Sequence, residues 1–189
     1  ALPISVYRKG QELTDTLLYC IEQRLPAEGR WPLPDLFWLE NWLPGYEMQV
    51  VAEGTAYELF ENYKDWLALA ERTPAVDDDA YLAVCLSTYA RDSIEYYYPA
   101  WFIQTWDYGG HSLLGRGIHR KVLVAMNQMA QSSGLFKEDL QGLKEQLLQD
   151  IMQSEEGYWE QTEPILAELD SILAMENAIL TNADRIAVQ

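Results

Sequence analysis

An all-α fold is predicted for this chain: a single compact helical domain spanning residues 1–189, with six to eight helices in a bundle-like arrangement around an aromatic-rich core. Three observations lead there. Apolar residues recur at intervals of three and four through most of the 189 residues, the signature of helices with one buried face. Pro26, Thr73-Pro74, Gly109-Gly110 and Gly134 stand where those stretches break. Half the residues are apolar and 12% are aromatic, enough for a chain of this size to bury a core without a disulfide or metal staple.

The first helix is expected over Gln11–Leu25, burying Leu13, Leu17, Cys20, Ile21 and Leu25, and Pro26 ends it because proline has no amide proton to continue the ladder. Pro26, Gly29, Pro32 and Pro34 mark a loop, and a short aromatic helix follows from Leu36 through Phe37, Leu39, Trp42 and Leu43 to Pro44-Gly45. Thr55 and Glu58 have the spacing of a capping box, so a helix is expected from there with Leu59, Phe60, Tyr63, Trp66, Leu67 and Ala70 on one side, broken at Thr73-Pro74. Asp77-Asp78-Asp79 precedes a helix carrying Leu82, Cys85, Leu86 and Tyr89, where acids complement the positive end of the helix dipole. The stretch 96–108 (YYYPAWFIQTWDY) is read as a short helix or an extended aromatic segment. Beyond Gly109-Gly110 a helix runs from Leu113 or Ile118 to Ser132, closed by Gly134. The last third supplies two stripes: Leu140, Leu143, Leu147 and Ile151, then Ile165, Leu169, Ile172, Met175 and Ile179, with Thr162 as cap and Pro164 in the first turn.

Charge narrows the functional classes. Thirty acids against thirteen bases give a net charge of −17, the wrong sign for a protein that binds nucleic acid directly through its phosphates. The charge is also segregated. Residues 1–107 carry −11, residues 108–137 carry +4 with no acid at all, and residues 138–176 carry −10 with Lys144 as their single base. Such a surface suits electrostatic steering of a basic partner, with the basic segment partly neutralised within the chain. No stretch reaches the roughly 18 uncharged apolar residues of a membrane helix, and no cationic start followed by an apolar run suggests a signal peptide. Two cysteines, Cys20 and Cys85, exclude a disulfide scaffold or a cysteine zinc site and read as small hydrophobes. A cytoplasmic location, without membrane attachment, is the resulting expectation.

Catalytic patterns are incomplete. Gly110-His111-Ser112-Leu113-Leu114-Gly115 has the outline of a nucleophile elbow, but the position two after the serine is Leu114, where the tight turn requires glycine. Gly110, Gly115, Arg116 and Gly117 have the outline of a phosphate loop, yet Gly117 stands where a magnesium-binding hydroxyl belongs. The two histidines, His111 and His119, do not stand three residues after an acid, so no di-iron pattern exists, and no cofactor or metal site is expected.

The reading that results is an acidic protein-interaction module that binds and neutralises a basic macromolecular partner, in the manner of an immunity protein or inhibitor acting on a toxin or nuclease, and not an enzyme. The contacts expected are Asp77, Asp78, Asp79, Glu155, Glu156, Glu160 and Glu163, with Tyr97, Trp101 and Trp159 as aromatic anchors. The chain itself is expected to be a monomer or small homo-oligomer. The alternative is a helical enzyme or ligand-binding domain that holds an anionic small molecule at His111, Arg116, His119 and Arg120.

Overall fold

The computed structural model describes residues 4–23, 43–51, 56–74, 76–89, 98–105, 109–130, 136–152, 157–176 and 179–189, with Asn41 and Gly134. Helix dominates, as the periodicity implies. Among the described residues there are seven helices and two short antiparallel hairpins, and the hairpins are what the sequence reading did not place. The chain divides into two compact units, residues 1–78 and 79–189, which are described in turn.

The first unit contains α1 (Ile4–Glu22), β1 (Tyr46–Val51), β2 (Ala56–Glu61) and α2 (Tyr63–Ala70). Helix α1 begins earlier than the apolar stripe suggests and turns a different face inward. Tyr7 and Thr14 are buried, whereas Leu13 is 58% exposed and Cys20 is exposed, which corrects its reading as a buried thiol. The cause is the neighbour. The Tyr7 ring packs edge-on against Trp66, at 5.4 Å between centroids, while Tyr7 and Gln11 both donate to Glu61 Oε1. An aromatic and polar seam therefore sets the rotation of α1.

The capping box at Thr55 and Glu58 is also corrected. Thr55 lies outside the described residues, and Glu58 sits in β2 opposite Gln49 of β1. Its partner β1 shows the strand alternation: Tyr46 and Met48 are buried while Glu47 and Gln49, one after each, are only partly so, a period of two that the helical pattern at residues 63–70 obscures. The helix starts at Tyr63 instead, with the Asn62 side chain accepting from the Asp65 amide. Trp66 and Ala70 are buried on it as expected. The aromatic helix expected over Leu36–Leu43 falls mostly outside the described residues.

Helix α3 (Asp77–Thr88) crosses from the first unit to the second, and Asp77-Asp78-Asp79 forms its first turn instead of preceding it. The second unit continues with β3 (Phe102–Gln104), β4 (Gly110–Ser112), α4 (Ile118–Met129), α5 (Lys137–Met152), α6 (Thr162–Leu173) and α7 (Asn182–Val188). The aromatic segment is thus extended where it is described, pairing Phe102 with Ser112 and Ile103 with His111. Its core combines Trp101, Leu114, Val122, Leu123, Met126, Leu147, Ile151 and Ile172, and each large aliphatic side chain so buried stabilises the fold by about 1.5–3 kcal/mol. The stripe expected to run unbroken from Ile165 to Ile179 is cut short: Ile165, Leu169 and Ile172 lie on α6, whereas Met175 and Ile179 fall between α6 and α7. Helix α6 stops at Leu173, Arg185 donates to the carbonyls of Leu173 and Met175 at its end, and Thr181 with Asp184 forms the capping box that opens α7. Lys144, buried on α5, is held by Asp184 at 2.9 Å.

Candidate functional site

Residues 110–129, within the acid-free segment 108–137, fold as β4, a glycine turn and α4. Gly115 (φ +105°) and Gly117 (φ +77°) take left-handed backbone conformations, and a Cβ on Gly115 would stand 3.1 Å from the Ile165 amide nitrogen at the start of α6. The turn therefore requires glycine twice over, for its dihedral angles and for close approach. A helix start of this kind exposes several unpaired amides and would attract an anion.

Here the anion is supplied by the chain. Glu168, on α6 and 5% exposed, accepts from the amides of Gly115 (2.6 Å) and Gly117 (2.8 Å) through Oε2 and from the amide of Arg120 (3.0 Å) through Oε1. Gly117 itself has no side chain with which to cap α4, so a carboxylate from another helix performs that task. Arg116 is bonded to Glu160 at 2.7 Å. His119 is fully buried; its Nε2 lies 2.8 Å from Asp150 Oδ2, and its Nδ1 has no hydrogen-bond partner and lies 3.9 Å from Glu168 Oε1. The Ser112 hydroxyl donates to the same Asp150 oxygen at 2.5 Å.

This geometry bears on both catalytic outlines. Ser112 is completely buried, bonds to an aspartate instead of a histidine, and accepts from the Leu114 amide at 3.2 Å. It lacks the solvent access that a nucleophile needs and is not bonded to the imidazole that the elbow pattern calls for. Of the four residues named for anion binding, His119 is enclosed, His111 is half-buried with its ring 5.7 Å from that of Trp159, Arg116 is exposed but paired with Glu160, and Arg120 is exposed. Among the described residues, no group of three or more metal-ligating side chains is found.

No known protein family, curated protein or solved structure matches this chain.

The acidic candidates divide. Asp78 and Trp101 are each 2% exposed and leave the partner-facing set: Asp78 accepts from Thr73, and Trp101 packs in the core with its ring 6.1 Å from that of His119. Asp77 and Asp79 are half-buried in the first turn of α3. Tyr97, Glu155 and Glu156 lie outside the described residues. Trp159, Glu160 and Glu163 are brought together at the start of α6. Trp159 is 49% exposed, and its backbone is pinned to β4 by the bond from its amide to the Ser112 carbonyl. Glu160 and Glu163 line an open cleft of about 480 Å³ with Tyr158, Gln161, Thr162 and Ile165.

Sequence reasoning missed Glu168, Asp150 and Asp170. For the first two a signal existed. Glu168 stands three residues after Ile165 and four before Ile172, and Asp150 stands three after Leu147, so both acids lie beside an apolar stripe, where a charge needs a partner.

Proposed function

We propose that this chain is an acidic interaction module that binds a basic macromolecular partner through the second unit, of the kind that neutralises a toxin or nuclease. The observation that carries the reading is the contrast between two sets of acids. Those facing the basic turn are used internally: Glu168 on three amides, Glu160 on Arg116 and Asp150 on His119. Those on the outer side of α6 are not. Glu163 and Asp170 are exposed and have no ion-pair partner among the described residues, and Leu166 between them is 54% exposed. Unpaired surface acids beside an exposed aliphatic side chain and a rigidly held tryptophan combine steering charge with apolar anchor area. Among the described residues no helix is long and apolar enough to cross a membrane.

Affinity capture from the source cell at low ionic strength tests the reading, with a salt step for elution and mass spectrometry for identification. A single basic protein released by salt in near-stoichiometric yield is expected. A bait that retains no basic protein would overturn the proposal.

A further inference from the structure

The last eleven residues, 179–189, are fastened to the second unit largely through one side chain. Lys144 on α5 is 4% exposed, and a buried ammonium group persists only where it is paired. Its hydrogen-bond partners among the described residues are Asp184 Oδ2 at 2.9 Å and the Ile179 carbonyl at 3.4 Å. Both belong to the terminal segment. The burial of Lys144 and the docking of α7 are therefore a single arrangement.

Helix α7 has seven residues, well short of the roughly 12–15 at which an isolated helix begins to persist in water. Asn182, Ala183, Ile186 and Ala187 are exposed, while Leu180 and Val188 are buried. Two adjacent polar residues complete the attachment. Asp184 Oδ2 accepts from Lys144 and also from the Thr181 amide at 2.7 Å, and the Thr181 hydroxyl accepts from the Asp184 amide at 3.1 Å. One carboxylate oxygen is thus both the cap of α7 and its tether to α5. Arg185, the next residue, donates to the carbonyls of Leu173 and Met175 at the end of α6.

We infer that residues 179–189 form a latch, which folds as it docks on α5 and α6 and opens as one unit to uncover the Lys144 amine. The latch does not depend on the proposed function. Undocked, α7 is too short to hold its helix, and with its cap lost Asp184 is no longer placed to pair with Lys144. A terminal unit of this kind opens without the core that supports it. Opening has a chemical consequence. It presents the only base of residues 138–176 and removes Arg185 from the end of α6.

The test follows acetylation of the whole chain by N-acetoxysuccinimide, resolved lysine by lysine with mass spectrometry, alongside amide exchange. In the parent, Lys144 is expected to react at least about tenfold more slowly than the exposed Lys121 and Lys137. The deciding variant is Thr181→Ala, which removes a capping hydroxyl but neither partner of Lys144. Acetylation of Lys144 and exchange of the 185–188 amides should both rise by about fivefold, with the amides of α5 as protected as before. Asp184→Asn should raise both further. Faster exchange at 185–188 with Lys144 as slow as in the parent would show that α7 frays without uncovering the lysine, and would overturn the latch. Equal reactivity of Lys144 and Lys121 in the parent, or a rise accompanied by lost protection along α5, would overturn it too.

Discussion

Replacing Glu168 by glutamine changes one oxygen to an amide nitrogen with almost no change in shape, and the hydrogen-bond geometry gives the consequence. The carboxylate accepts from three amides, two on Oε2 and one on Oε1. The best placement of glutamine keeps its carbonyl on Gly115 and Gly117 and turns its amino group towards the Arg120 amide, donor against donor. One bond to a charged acceptor is lost, worth about 1.5–3 kcal/mol, the other two lose their charge assistance, and a buried donor is left unsatisfied. The expected loss is about 2–4 kcal/mol. With a urea dependence near 2 kcal/mol per molar, the midpoint of the second unit falls by about 1–2 M. Glu168→Ala should cost more, since all three donors lose their partner and a cavity opens. Urea unfolding followed by near-ultraviolet circular dichroism measures the loss, and amide exchange at Gly115, Gly117 and Arg120 locates it. A Glu168→Gln protein within about 0.5 kcal/mol of the parent, with those three amides as protected as before, would refute the assignment of Glu168 as the cap of α4.

Four further outcomes follow from the same geometry. A Cβ on Gly10 would lie 2.3 Å from the Tyr46 hydroxyl oxygen but 3.2 Å from the nearest ring carbon, so Gly10→Ala should destabilise by up to about 2 kcal/mol despite better helix propensity. In a Tyr46→Phe background it should be neutral or favourable, and a double-mutant cycle by urea unfolding shows whether the two sites are coupled. Burial, and secondarily the charge of Glu61, holds the Tyr46 phenol above the usual tyrosine range; the unfolded side chain ionises first, so this contribution is intact below about pH 10 and is lost as pH rises beyond it. Tyr46→Phe should flatten that alkaline loss in pH-dependent unfolding. At Asp184 partial burial raises the pKa, but hydrogen bonds from Lys144 and Thr181 with the Lys144 charge outweigh it and the net shift is downward. Its stabilisation is therefore present above the ordinary aspartate range and lost as pH falls through the depressed folded value, so the stability gap between the parent and Asp184→Asn should shrink in acid. Lastly, inorganic phosphate at millimolar concentration should leave the Gly115 and Gly117 amide resonances unmoved, because Glu168 already occupies them; saturable shifts there would restore the anion-binding alternative.

Much of the helical order was legible because burial on one side of a helix leaves a period in the sequence. Helices α4, α5 and the first two turns of α6 lie where their apolar stripes place them. The failures have particular causes. The β1–β2 hairpin was hidden because the residues of β2 continue at helical spacing into α2, so one apolar series served two elements. Helix α1 was found but rotated wrongly, since Tyr7 and Gln11 contact Glu61 across 54 and 50 residues and no local pattern records that. The internal use of the basic turn was anticipated in kind, from the absence of acids in 108–137. Its agent was not, because Glu168 lies about fifty residues away and only its position beside a buried stripe sets it apart from a solvated acid.

Whether an acidic surface of this chain takes a basic partner comes down to association kinetics with the captured protein. The association rate constant would be measured across ionic strength for the parent and for the chain with Glu163 and Asp170 both changed to lysine. Steering by those acids gives a rate that falls steeply with salt in the parent, and a slower rate with a much flatter salt dependence in the variant. Equal rates and equal salt slopes for the two proteins would contradict the account and remove α6 from the binding surface.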